Sequence, residues 1–164
     1  GPSYSPRTGM FYLAARENGS SMFVKGEANF EEGQNYSARG ANAGARRARP
    51  EVGSDEEKYT AVRALDPQTG ERKWEFTLNS GNSLSQCAGL SCSGAAGILT
   101  TATDVLFAGG REGNFVALDA RTGALLWKVL LGGQINMGPV SYSVDGKQYV
   151  AVNSGSSLFV FGLR

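Results

Sequence analysis

Ala64-Leu65-Asp66-Pro67-Gln68-Thr69-Gly70-Glu71-Arg72-Lys73-Trp74-Glu75-Phe76-Thr77-Leu78 returns 53 residues later as Ala117-Leu118-Asp119-Ala120-Arg121-Thr122-Gly123-Ala124-Leu125-Leu126-Trp127-Lys128-Val129-Leu130-Leu131. In both copies an apolar run enters Asp-x-x-Thr-Gly, where the Asp can accept backbone N–H bonds and the Gly can take a positive φ. A second extended run leaves the turn, and the chain's only two tryptophans hold the same place in it. Strand, tight turn, strand is a hairpin. A hairpin recurring at this period marks a propeller or a solenoid.

Outward from these copies the chain reads as further strands. Tyr59–Leu65 and Arg72–Leu78 flank the first turn. Upstream lie Ser3-Tyr4-Ser5, a Pro6-Arg7-Thr8-Gly9 turn and a strand over Met10–Ala15, with Ser21–Lys25 a short further candidate. Downstream, Ala96–Ala102 reads as a Gly- and Ala-rich strand suited to a crowded centre, followed by strands over Asp104–Ala108, Asn114–Leu118 and Ala124–Leu131. Met137–Tyr142, Gln148–Asn153 and Ser157–Phe161 make a last unit with no fourth strand. The spacing predicts an all-β partial β-propeller of three four-stranded antiparallel blades, the last lacking its outer strand. The blades span 1–78, with a long excursion at 26–58, then 94–131 and an incomplete 135–164. A sandwich with an accidental repeat is the competing architecture.

Composition sets the bounds on function. The 164 residues include 23 Gly, with 16 Lys plus Arg against 15 Asp plus Glu, a formal charge of +1. Such a balance supplies no field to recruit nucleic acid or an anionic membrane. No apolar run is long enough to span a bilayer, and the opening residues do not read as a signal peptide. The Gly1-Pro2-Ser3-Tyr4-Ser5 start is echoed with one insertion by Gly138-Pro139-Val140-Ser141-Tyr142-Ser143, so the start reads as native sequence within something longer, with a protease scar the alternative. Histidine is absent, which removes the ordinary neutral-pH base, Cys-x-x-Cys-His haem attachment and His-containing zinc sites. The Arg46-Arg47-Ala48-Arg49 cluster reads as a solvated loop balanced by Asp55-Glu56-Glu57, with a partner patch the alternative. Cys87 and Cys92 are spaced unlike a zinc or redox pair; a local disulfide and two buried thiols both remain open.

The repeats resemble those of the quinoprotein alcohol and glucose dehydrogenases, whose cofactor is pyrroloquinoline quinone (PQQ). Their Ala-x-Asp-x-x-x-Gly-x-x-x-Trp motif is matched by Ala64, Asp66, Gly70 and Trp74, and again by Ala117, Asp119, Gly123 and Trp127. Gly97–Ala102 through Phe107 looks like the strand pair after the cofactor-facing loop. Pro139, Tyr142, Asp145–Val152 and Gly155 look like the closing blade. Outer-membrane assembly propellers share the tryptophan motif. In either setting an outer indole can stack on small residues and peptide planes while its N–H meets a backbone carbonyl.

The resemblance implies C-terminal blades of an eight-bladed periplasmic parent that oxidises an alcohol or sugar with PQQ and calcium. The family's catalytic carboxylate, calcium ligands and vicinal disulfide lie in earlier blades. No catalytic and no metal-ligating residue is therefore expected here, and the isolated chain is expected to hold neither cofactor and to be inactive. The cofactor-facing residues implied are Gly94, Ala95, Ala96 and Gly97. The family's Trp-Gly-Gly floor falls on Ala95, Ala96 and Gly97, so a methyl stands where an indole would stack and only backbone can approach the ring. Expected partners are the missing N-terminal blades or a second copy, through exposed blade faces. The alternative function is a non-enzymatic scaffold resembling the outer-membrane assembly lipoproteins.

Overall fold

The computed structural model describes residues 1–17, 32–33, 59–80, 96–110 and 112–162. They form three antiparallel sheets and, among the described residues, no helix. The first sheet is β1 (Ser3–Ser5), β2 (Met10–Glu17), β3 (Tyr59–Leu65) and β4 (Arg72–Ser80). The second is β5 (Leu99–Thr100), β6 (Val105–Gly109), β7 (Asn114–Asp119) and β8 (Leu125–Leu130). The third is β9 (Val140–Val144), β10 (Lys147–Ser154) and β11 (Ser157–Gly162). Each strand pairs with its sequence neighbours, so every sheet is a meander.

The two Asp-x-x-Thr-Gly segments fold alike. Asp66 Oδ1 accepts the backbone N–H groups of Gln68 at 2.9 Å and Thr69 at 3.2 Å, and the Gly70 N–H donates to the Asp66 carbonyl at 2.8 Å. Asp119 Oδ1 accepts from Arg121 at 2.8 Å and Thr122 at 2.9 Å, with Gly123 donating to the Asp119 carbonyl at 2.8 Å. Gly70 and Gly123 have φ of 75° and 74°, a conformation that a Cβ penalises. Backbone donors hold both carboxyls below their ordinary pKa.

Alternation along β7 explains how one strand serves two interfaces. Val116 and Leu118 point into a core shared with Tyr12, Val62 and Ala64 of the first sheet. Phe115 points the other way, into a core with Ala96, Ile135, Val150 and Val152. A strand apolar on both faces is what a sheet sandwiched between two others requires. The connector from β8 to β9 is threaded through the second interface. Its Ile135 is fully buried, and Gly109 leaves room for it: a Cβ there would lie 2.4 Å from Ile135 Cγ2.

Most strand ends fall within a residue or two of the sequence reading, and three departures have a definite physical cause. The inner strand of the second sheet is confined to Leu99–Thr100, not Ala96–Ala102. Ile98 N–H is instead taken by the Gly1 carbonyl at 3.0 Å, and Thr101 already belongs to the turn before β6. Asp104 is not a strand residue but the left-handed pivot of that turn, with φ of 61°. β9 begins after Pro139, which has no N–H to give a ladder, and runs on to Val144. There Asp145 and Gly146, at φ 50° and 75°, close a two-residue hairpin of the kind that matches strand twist. Ser21–Lys25 lies outside the described residues.

Candidate functional site

The inner ends of the three sheets converge on backbone. Gly97 precedes β5 and Gly138 precedes β9. A Cβ on Gly97 would stand 2.8 Å from Gly138 Cα and 3.1 Å from the Gly1 nitrogen, closer than Cβ atoms pack. Ser3 Oγ and Thr100 Oγ1 share a 2.8 Å hydrogen bond one step further along β1 and β5. Three chain segments thus meet at two glycines.

Of the four residues expected to face a cofactor, Gly94 and Ala95 lie outside the described residues. Ala96 is 2% exposed and its methyl sits in the core with Phe115 and Val150. Gly97 is also buried, covered by Gly138 and Gly1. Among the described residues no cluster of three or more Cys, Asp or Glu side chains is arranged to hold a metal. Cys87 and Cys92 lie outside the described residues.

The outer ends of the first two sheets are joined by side chains. Trp74 Nε1 donates to the Ala120 carbonyl at 3.1 Å, and the Tyr12 hydroxyl donates to the same oxygen at 2.9 Å. The two rings are 5.7 Å apart. Gly123 lies beneath the indole, where a Cβ would be 2.7 Å from Trp74 Cε3. Burial raises the Tyr12 pKa, which keeps the phenol protonated as a donor. Next to this joint the Asp104 carboxylate takes Arg7 Nε of the first sheet at 3.0 Å and Arg121 Nη2 of its own sheet at 2.7 Å. Hydrogen bonds from Arg7 and then Arg121 hold its pKa below the ordinary value.

A second ionic group crosses the first sheet. Arg63 on β3 donates through Nη1 to Glu17 on β2 at 2.5 Å and through Nε to Glu75 on β4, which also takes Arg72 at 2.9 Å. Its charges cancel, and it ties neighbouring strands together.

Sequence reading did not single out Tyr12, Arg7 or Asp104. A signal for Asp104 existed. It stands immediately before β6 as Gly9 stands before β2, and Gly9 also has a positive φ, 69°. Asp is among the few side chains that tolerate that conformation.

The model of the family described as outer membrane protein assembly factor BamB matches residues 58–161. The chain belongs to this family of PQQ-type propeller repeats. Over 153 residues, 93% of its length, the chain is 31% identical to quinoprotein alcohol dehydrogenase PedE of Pseudomonas putida. Over the same share it is 33% identical to a quinoprotein ethanol dehydrogenase of Pseudomonas putida. It spans only 21% of the length of each. Among solved structures, the quinohemoprotein alcohol dehydrogenase of Comamonas testosteroni superposes with a TM-score of 0.63 at 24% identity. That alignment covers 96% of this chain and 22% of the other, and supports the fold. A europium-containing methanol dehydrogenase superposes with a TM-score of 0.58 at 28% identity, covering 94% and 24%.

Proposed function

We propose that this chain supplies C-terminal blades to a periplasmic, eight-bladed quinoprotein dehydrogenase that oxidises a small alcohol or sugar. The observation that carries the reading is the similarity to quinoprotein alcohol dehydrogenases along 93% of the chain. PQQ, when bound in such a parent, accepts the electrons removed from the alcohol. The described residues do not fit as its binding set: Ala96 and Gly97 are buried, and no metal-ligating cluster accompanies them. Their contribution is to hold the inner ends of adjacent sheets at backbone distance, leaving Gly94 and Ala95 as the residues to approach the quinone. The cofactor, calcium and the base that takes the hydroxyl proton then belong to other blades.

The open faces fit a part that pairs with something more. Val140, Tyr142 and Val144 on β9, with Leu158 and Val160 on β11, are exposed at 42–70%. Such a row of apolar side chains on a sheet face suits a further blade or a second copy.

The test is dye reduction by the longer protein and by the 164-residue chain alone, each with PQQ, calcium and a panel of alcohols and sugars. Turnover by the longer protein and none by the chain alone is expected. No turnover by the longer protein, even when loaded with either calcium or a lanthanide, would favour the scaffold reading, which the family description and the methyl of Ala95 also suit.

A further inference from the structure

Asp66, Asp104, Asp119 and Asp145 are the aspartates among the described residues, and three of them are locked against the slow chemistry open to this side chain. An aspartate isomerises when the backbone nitrogen of the next residue closes on its Cγ. That needs a free carboxyl group, a free N–H and room for the ring. Asp66 is followed by Pro67, which has no N–H. Asp119 Oδ1 accepts the N–H groups of Arg121 and Thr122, and the Ala120 N–H is taken by the Asp104 carbonyl at 2.8 Å. The Asp104 carboxylate is held by Arg7 and Arg121, and the Val105 N–H by Thr101 Oγ1 at 3.2 Å.

Asp145 differs on every count. Neither its carboxylate nor the Gly146 N–H has a hydrogen-bond partner among the described residues, and both residues are exposed. Gly146 carries no side chain to shield its nitrogen, and nothing stands within 4 Å of where a Cβ would lie. The two residues are the whole loop of the β9–β10 hairpin, with Val144 opposite Lys147. For the nitrogen to reach Cγ, ψ of Asp145 must rotate out of this turn. β9 is exposed along its length, pairs only with β10 among the described strands and gives no residue to either core. The tip can therefore open locally while both cores stay packed.

We propose that Asp145-Gly146 is a site of spontaneous aspartate isomerisation, and that the product unpairs β9 from β10. The Gly146 nitrogen bonds to Cγ, and the carboxyl hydroxyl leaves with the nitrogen's proton as water, closing a succinimide. Water then returns to the ring. Attack at Cγ breaks the new N–Cγ bond and restores aspartate. Attack at the backbone carbonyl breaks the original peptide bond and leaves the chain running through Cβ and Cγ as isoaspartate. The net change is an isomerisation, and water is the sole co-reactant. Isoaspartate adds one carbon to the backbone of a two-residue loop whose positive φ values, 50° and 75°, match the twist of its strands. With that match gone, the ladder from Val144 and Lys147 inward loses the turn that sets its register.

The test incubates the intact 164-residue chain at pH 6 and 37 °C for several weeks and follows each aspartate in its tryptic peptide. Electron-transfer fragmentation distinguishes isoaspartate from aspartate, and the succinimide shows as the loss of one water. Isoaspartate should accumulate at Asp145 and stay absent at Asp104 and Asp119. In the converted fraction, hydrogen exchange should rise across Val140–Val144 and stay unchanged in β6 and β7. Asp145→Asn, which closes the same ring by releasing ammonia, should convert several times faster. Asp145→Glu, which would have to close a larger ring, should not convert. A sample held in urea gives the rate without the turn. Absence of conversion at Asp145 in the folded chain, whether or not the urea sample converts, overturns the proposal. Equal conversion of Asp104 or Asp119 in the folded chain, or unchanged exchange across β9 in the converted fraction, overturns it too.

Discussion

Trp74 covers Gly123, 49 positions further along the chain, so closely that a β-carbon on the glycine would lie 2.7 Å from the ring. Gly70 has the same φ within a degree, the same turn, and nothing within 4 Å of its own would-be Cβ. The pair separates two costs that usually come together. Gly70→Ala should destabilise the chain by roughly 1–2 kcal/mol, the left-handed backbone term alone. Gly123→Ala should cost about 3 kcal/mol or more, because the indole must also lift away from its packing and its acceptor. Urea unfolding followed by circular dichroism would measure both; equal effects would mean that the indole contact contributes nothing.

Ala120 offers one buried carbonyl to two donors, Tyr12 and Trp74. Tyr12→Phe leaves the Trp74 bond in place and should cost about 1 kcal/mol. Trp74→Phe should cost more, since packing goes with the donor. The double variant leaves the oxygen without a partner and should lose about 1 kcal/mol beyond the sum of the two. Strict additivity in the cycle would contradict a shared acceptor.

Asp104 gives the joint a pH dependence with a defined sign. Its folded-state pKa is lowered from 3.8 by hydrogen bonds from Arg7 and Arg121. A group depressed in this way contributes stability that is fully present above the unfolded value of 3.8 and is lost as pH falls through the lower folded value. Asp104→Asn keeps a side chain that tolerates φ of 61° while removing the charge. The variant should be less stable than the parent chain at pH 6, and the gap should narrow as pH falls below 3.8. A gap independent of pH would assign the loss to shape and not to the ion pairs.

Gly97 and Gly138 predict a different failure. A methyl on Gly97 meets backbone and not a flexible side chain, so neighbouring sheets must separate at their inner ends. Gly97→Ala should cost about 1–3 kcal/mol by overpacking. It should also raise hydrogen exchange at Ile98, whose N–H is held by the Gly1 carbonyl. Unchanged exchange there would show that the inner ends yield without parting.

The order of strands from Tyr59 onward was legible because each carries alternation and is bounded by a turn residue doing one physical job. Asp66 and Asp119 fix bends, and Gly70, Gly123, Gly146 and Gly155 take positive φ. The joints were legible only in part. Trp74 announced an outer indole, but that its acceptor would be Ala120, on the next sheet, depends on a contact 46 residues away. Tyr12 and Asp104 act through partners that no local pattern points to. The inner strand at Leu99–Thr100 was overestimated because Gly and Ala suit both a crowded strand and a backbone crossing. Ala96–Ile98 takes the second course, with Ile98 donating to Gly1. The candidate cofactor residues were the least legible: their assignment came from likeness alone, and the two described ones are buried.

The link between Trp74 and Ala120 has a direction. The indole belongs to the outer strand of one sheet and its acceptor to the turn of the next, so the two sides of the link are different surfaces. A link of that kind does not count. The same pair of surfaces can be used again at every step, and the number of steps before the series meets its own beginning is fixed by the rotation between neighbouring sheets. Adding or removing a whole 53-residue unit would therefore leave each remaining link chemically intact and change only the angle left to be closed.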